Sequence, residues 1–177
     1  MALKRAVKIV GCGLIGTSIG LRLREKGVEV EVSDSSSTNL ELARDLLGGI
    51  QNLEDPEVIL IAVPPQNVFD VLKAEFHSHP KAIFIEVSGI KSELILQVES
   101  FTELSRRFVA VHPMAGREKS GPQSARSDLF ESRAWIISKT SEVDPDVVEF
   151  ARDLGKVLGS SIYEMTADSH DQAIATI

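Results

Sequence analysis

The stretch that most restricts what this chain can fold into lies near its start. An apolar run over residues 6–10 passes straight into Gly11-Cys12-Gly13-Leu14-Ile15-Gly16, and an amphipathic helical pattern follows without a break. Strand, glycine turn and helix in that order read as the first unit of a nucleotide-binding sheet. The three glycines do different things. Gly11 permits the tight turn out of the strand, Gly13 lets the backbone come close to a pyrophosphate, and Gly16 lets the helix lie against the sheet. Leu14 and Ile15 open the helix, where unpaired N–H groups and the positive dipole end favour an anion. A second strand over 28–33 ends at Asp34, eighteen residues past Gly16, where a carboxylate can accept hydrogen bonds from both hydroxyls of an adenosine ribose. Together these features predict a dinucleotide site. Ser35, Ser36 and Ser37 offer hydrogen bonds to a 2′-phosphate, but Asp34 repels that group and no arginine follows it, which favours NAD over NADP.

Strands and helices then alternate. Ser35-Ser36-Ser37-Thr38 is a polar turn able to cap a helix beginning near Asn39, and Gly48-Gly49 ends that helix. The nearly unbroken apolar run over 57–63, stopped by Pro64-Pro65, has the composition of a central parallel strand covered on both faces. Helix 67–76, strand 82–87, helix 92–101 and strand 107–111 continue the pattern, which predicts an α/β fold: a doubly wound, mostly parallel sheet of the Rossmann type with helices on both faces. Beyond it, 134–138 and 161–164 read as short strands flanking a helix over 146–158. Thr166 reads as a cap with Asp168 in the first turn, and Ala167, Ala173, Ile174 and Ile177 lie along one side of the final helix. That apolar side requires a cover from further chain or another subunit. The division expected is a dinucleotide-binding domain over 1–165 and the start of a helical domain over 166–177.

The formal net charge of −7, with no basic stretch to offset it, argues against nucleic acid as a partner. No apolar run approaches the roughly 20 residues that span a bilayer, and residues 1–5 lack the long apolar stretch of a signal peptide, so no membrane association and a cytoplasmic location are expected. Cys12, the only cysteine, reads as a small buried filler among the turn glycines.

The chemistry is expected at the sheet's carboxyl edge. His112 ends a strand and precedes Pro113, which biases its backbone to extended geometry. An imidazole there is able to take a proton from a substrate hydroxyl while hydride leaves carbon, and on position alone a capping or core histidine fits equally well. His77 and His79 flank a proline without other ligands near them in sequence, so no metal site is expected. The long irregular stretch over 113–127 follows a strand end and carries Arg117, Lys119 and Arg126, cations that either receive substrate carboxylates or balance Glu118 and Asp128 in a solvated loop. Lys91 is similarly placed after the turn Ser88-Gly89-Ile90. Trp135 falls in a strand pattern and reads as core.

The glycine motif with its continuation Thr17-Ser18-Ile19-Gly20, then Val63-Pro64-Pro65, then His112-Pro113-Met114-Ala115-Gly116-Arg117-Glu118-Lys119-Ser120-Gly121, and finally Met165-Thr166-Ala167-Asp168-Ser169-His170-Asp171, closely resemble the prephenate dehydrogenases of tyrosine biosynthesis. The resemblance covers essentially the whole chain, and the histidine-loop stretch is its most specific part. It implies oxidative decarboxylation of prephenate by NAD to 4-hydroxyphenylpyruvate, with His112 as the catalytic residue on the ring hydroxyl. It further implies cofactor contacts at Val63 and Pro64 and substrate contacts at Ser88, Lys91, Glu118 and Ser120. Two departures stand out. Where family members read Asp-Val-Gly-Ser-Val-Lys, this chain has Glu86-Val87-Ser88-Gly89-Ile90-Lys91, so the serine is displaced by one position. The family also continues into a helical domain that dimerises and supplies an arginine for a substrate carboxylate. The isolated chain is therefore expected to hold NAD but to turn substrate over poorly, with His170-Asp171 opening that helical part and a homodimer forming through it. Arogenate dehydrogenase shares the fold and the histidine, and a noncatalytic NADH-sensing module is the alternative from another class.

Overall fold

The structure is a computed structural model that describes residues 5–49, 51–115 and 120–176. Seven strands form one sheet in the order β2-β1-β3-β4-β5-β6-β7. They are β1 (Val7–Val10), β2 (Val30–Ser33), β3 (Val58–Ile61), β4 (Ile83–Glu86), β5 (Phe108–Pro113), β6 (Ala134–Lys139) and β7 (Ser161–Glu164). β1 to β5 are mutually parallel; β6 runs antiparallel to β5, and β7 runs parallel to β6. Chain order turns back at β1, which has β2 on one side and β3 on the other, so the crevice of this open sheet lies beyond the carboxyl ends of β1 and β3.

Alternation along the central strands explains why the sheet is covered on both faces. Val58 and Leu60 of β3, Ile83 and Ile85 of β4, and Val109 and Val111 of β5 point to one side, where α1 (Leu14–Glu25), α2 (Ser37–Leu46) and α6 (Pro145–Val157) pack. Ile59 and Ile61, Phe84, and Phe108 and Ala110 point to the other, against α3 (Pro65–Ser78), α4 (Ser92–Glu99) and α5 (Thr102–Arg107). Local signals set the helix starts. Ser36 accepts a hydrogen bond from the Asn39 N–H, Thr166 does the same for Ser169 at the start of α7 (Ala167–Ile174), and Pro65 and Pro145 stand in the first turns of α3 and α6. Trp135 is wholly buried and its indole N–H donates to the Ala151 carbonyl at 3.0 Å, as a core tryptophan requires.

Two local expectations change. The helix expected over 92–101 ends at Glu99, and a further short helix, α5, follows from Thr102 after Phe101 adopts an extended backbone (φ −119°, ψ 91°), its ring tilted against Phe69 at 5.9 Å. The final helix is not left bare on all sides. α7 packs against α4 and β6, with Ala167 against the second core and His170 fully buried. Among the described residues no helix is long and apolar enough to cross a membrane.

Leu60 is wholly buried in the middle of the sheet. Leu60→Ala should cost about 2–5 kcal/mol, read by chemical denaturation; a loss below about 1 kcal/mol would mean that the sheet packs less tightly than described.

Candidate active site at the carboxyl edge of the sheet

The cleft begins with a close approach of two backbones. Gly11 has φ +105°, and a Cβ there would lie 2.4 Å from the Ala62 carbonyl oxygen, so only glycine lets the β1 turn rest on the end of β3. A Cβ at Gly16 would lie 2.0 Å from the Gly11 carbonyl oxygen, which seats α1 directly on that turn. Gly13 differs from both: a Cβ there would meet nothing within 4 Å. Gly13 is also the N-cap of α1, and no side chain caps the helix. Free amides of the first turn therefore face open space, which suits a pyrophosphate.

That space is a cleft of about 940 Å³ walled by Gly11, Gly13, Ile15, Asp34, Val63 and Pro64 among others. Leu14 turns into the core, and Gly16 packs against the turn, so these two shape the cradle from behind. Asp34 is held by its neighbours, one carboxylate oxygen accepting from the Cys12 N–H at 2.6 Å and the other from the Ser36 N–H at 2.7 Å. Each oxygen keeps lone-pair capacity for a ribose hydroxyl. Asn39, Asn67 and Asp70 also line the cleft, none of them singled out by the sequence pattern; their only signal was position on α2 and α3. No arginine or lysine lines the cleft among the described residues, and Asp70 adds a second carboxylate. Cys12 is fully buried beneath, and burial together with Asp34 pushes its thiol up to about 12, so it is inert filler.

His112 stands at the end of β5. Its Nδ1 lies 2.8 Å from Nε2 of buried His170, the rings being tilted by 65° with centroids 5.0 Å apart. His170 Nδ1 is in turn 2.8 Å from an Asp171 carboxylate oxygen. The Asp171 carboxylate also accepts the backbone N–H of Lys91 at 3.0 Å and of Ser92 at 2.8 Å, which fixes it at the start of α4. Burial tends to raise the Asp171 carboxyl, but hydrogen bonds from Ser92, His170 and Lys91 outweigh it and bring it down to about 2. Burial, followed by the positive charge of Lys91, brings His112 down to about 4, so its ring is neutral at pH 7. Nε2 of His112 has no hydrogen-bond partner among the described residues, and a Cβ at Gly89 would sit 3.7 Å from it. Val87, two residues before Gly89, lines the nucleotide cleft, so the end of β4 joins the two halves of the site.

Two residues expected at the substrate, Lys91 and Ser88, are placed differently. The Lys91 side chain is fully buried, its ammonium paired with Glu86 and donating to the Ser88 carbonyl at 2.6 Å, because a cation this deep needs a carboxylate beside it. It acts on the site by its charge and has no open face for a ligand. The Ser88 hydroxyl donates to the Ile90 carbonyl at 3.4 Å and lines a separate groove between α3 and α4; Gly89 is the residue that faces the imidazole. The one-position displacement thus turns the serine away, as a shift at a strand end does. Ser120 is exposed, and Arg126 forms a bidentate pair with Asp128, the charge-balancing alternative for that cation. Glu118, Arg117 and Lys119 lie outside the described residues. His170 and Asp171 were legible only as part of a motif, since nothing in a sequence announces a contact across 58 positions.

His112 binds a proton less readily folded, at about 4 against 6.5, so the unfolded chain takes up protons first on acidification. Its contribution to stability is complete above pH 6.5 and is lost as pH falls toward 4. Denaturation curves between pH 7.5 and 4.5 should therefore show a shallower loss of stability for His112→Asn than for the parent; equal slopes would place the imidazole in water.

The chain matches the family model described as prephenate dehydrogenase, nucleotide-binding domain, over residues 14–164. It is 33% identical over 174 residues to a probable prephenate dehydrogenase of Streptomyces niveus, NovF, covering 97% of this chain and 48% of that protein. It is 25% identical over 186 residues to the prephenate dehydrogenase of Bacillus subtilis, covering 99% of this chain and 50% of that protein. The chain thus spans about half the length of these curated relatives. Among solved structures, the arogenate dehydrogenase of Synechocystis superposes with a TM-score of 0.85 at 28% identity, over 96% of this chain and 63% of that one. A prephenate dehydrogenase of A. aeolicus, in complex with hydroxyphenyl propionate and NAD+, superposes with a TM-score of 0.83 over 98% of this chain and 64% of that one; at 22% identity that likeness speaks for the fold. The glycine turn, the cleft behind it and the match along nearly the whole sheet make this chain a member of the prephenate dehydrogenase nucleotide-binding domain family.

Proposed function

We propose that this chain is the nucleotide-binding part of an NAD-dependent prephenate dehydrogenase, which converts prephenate and NAD to 4-hydroxyphenylpyruvate, carbon dioxide and NADH. The observation that carries the reading is His112: a neutral imidazole with Nδ1 occupied and Nε2 open, on the same sheet edge as the dinucleotide cleft. The residues of the cleft fit the cofactor. Gly13 leaves room for a pyrophosphate that any side chain would fill, and Asp34 is fixed for the ribose. The cofactor supplies a hydride acceptor. His112 Nε2 receives the proton of the ring hydroxyl as hydride leaves the carbon that bears it; loss of the ring carboxylate as carbon dioxide makes the ring aromatic, and the phenol oxygen takes the proton back. What the chain contributes is positioning and one well-placed proton acceptor.

The rest of the reading follows from the family. The segment from 166 onward begins the helical part that dimerises and completes the substrate site, Glu118 and Ser120 belong to a loop over the substrate, and the enzyme works in the cytoplasm. Arogenate is the second substrate to weigh, because the Synechocystis arogenate dehydrogenase is as similar in fold as the prephenate enzymes. A noncatalytic sensor is disfavoured by an imidazole with an open nitrogen, which sensing does not require.

Calorimetry on this chain should show NADH binding with a clear preference over NADPH, and Asp34→Ala should weaken NADH by about tenfold or more, as expected for loss of hydrogen bonds to a charged group. In the intact gene product, His112→Asn should lower turnover on prephenate by about 10²–10⁴-fold with NADH affinity unchanged. A folded chain that binds neither nucleotide, or a His112→Asn protein with full turnover on both prephenate and arogenate, would overturn the reading.

A further inference from the structure

Asp171 and His170 form a chain of hydrogen bonds that ends on His112, whose Nε2 is open. We propose that Asp171 and His170 are positioning residues that fix the tautomer of His112, keeping its Nδ1 protonated and its Nε2 bare toward the substrate. This rests on the reading of His112 as the proton acceptor.

The direction of the chain follows from its fixed end. Asp171 is ionised and already accepts two backbone N–H groups, Lys91 and Ser92, so it can act toward His170 only as an acceptor. His170 therefore carries its proton on Nδ1, 2.8 Å from that carboxylate. A neutral imidazole has one N–H, so His170 Nε2 is an acceptor. It lies 2.8 Å from His112 Nδ1, which must donate. The single proton of neutral His112 is then spent on Nδ1, and Nε2, one of the two ring atoms nearest Gly89, is left as a lone pair. The opposite arrangement would need His170 to donate to both neighbours and so to carry a positive charge while wholly buried. The charged groups around the pair are consistent with this. Asp171 faces it from α7 itself, and Lys91, paired with Glu86, faces it from the β4–α4 connection and opposes a second positive charge on either ring. The chain also ties the last helix to the catalytic strand, since Ser92 Oγ bonds Asp168 at 2.9 Å beside the same contact.

The test separates tautomer from fold. Nitrogen-15 NMR of the imidazoles in this chain should report His112 as the Nδ1–H form. Asp171→Asn keeps a side-chain oxygen for the Lys91 and Ser92 amides but presents an N–H to His170; the chain reverses and His112 becomes the Nε2–H form. In the intact gene product its turnover should fall by about 10²–10⁴-fold, the range general acid–base catalysis supplies, with about 10⁴-fold being the loss a wrong tautomer causes in a comparable Asp–His pair, and NADH affinity should be unchanged. His170→Leu should leave His112 a mixture of both forms, and His170→Gln, whose side-chain oxygen can accept from His112 Nδ1, should restore the Nδ1–H form and much of the turnover. The proposal fails if His112 is the Nε2–H form in the parent, or if Asp171→Asn and His170→Leu leave tautomer and turnover unchanged. If the tautomers behave as described but neither prephenate nor arogenate is turned over by the parent, the positioning chain stands and the proposed reaction falls.

Discussion

Backbone touching backbone at the end of β1 is the contact on which the whole sheet edge is built. Gly11 rests on the Ala62 carbonyl, and Gly16 on the carbonyl of Gly11, at separations where a single Cβ would collide. Those contacts bring the carboxyl ends of β1 and β3 together and aim the uncapped start of α1 between them. The cleft is the space that this approach leaves, and Asp34 closes its side by bridging the Cys12 and Ser36 amides. Rigidity here comes from glycine geometry and short backbone hydrogen bonds, so the cradle is formed before any ligand arrives, which reduces the ordering cost of binding.

The second half of the site is assembled by different forces. Three segments distant in sequence converge: the connection from β4 to α4 with Glu86, Gly89 and Lys91, His112 on β5, and His170-Asp171 on α7. Glu86 and Lys91 are both fully buried, a pairing that stays stable only while both members are present, since removal of one strands the other's charge. Burial keeps the neighbouring imidazole neutral, the positive end of the pair adds to that, and the Asp171 carboxylate orders the protons. Burial beside an ion pair thus holds His112 uncharged well below the range in which a solvated imidazole protonates, and the carboxylate–imidazole chain holds it in one orientation.

Much of this was legible in the sequence because it depends on local rules. The glycine spacing, the acid at the end of β2, the apolar run of β3 and the serine and threonine caps before α2 and α7 each act over a few residues, and each stands where periodicity and capping place it. What was not legible depends on partners far along the chain. Lys91 reads as a cation at a strand end within reach of a substrate, and only the fold reveals Glu86 turned toward it. Ser88 and Gly89 differ by one step, and which of them faces the imidazole is decided by the turn after β4. Hydrophobic patterning marks β6 as a strand but carries no sign of its antiparallel direction, and the six-residue α5 between α4 and β5 is too short for helical periodicity to show. The contact of His170 with His112 belongs to the same class.

Gly13 is the position where cofactor placement can be probed with least disturbance, because the protein itself has no use for the space around it: its φ of −78° suits any residue, and a Cβ meets nothing within 4 Å. NADH binding to Gly13→Val, measured alongside its thermal unfolding, separates ligand from fold. A pyrophosphate seated at the start of α1 predicts an unchanged unfolding midpoint and affinity weakened by about tenfold or more. NADH binding as tight as in the parent would contradict that placement and would move the cofactor away from the helix start.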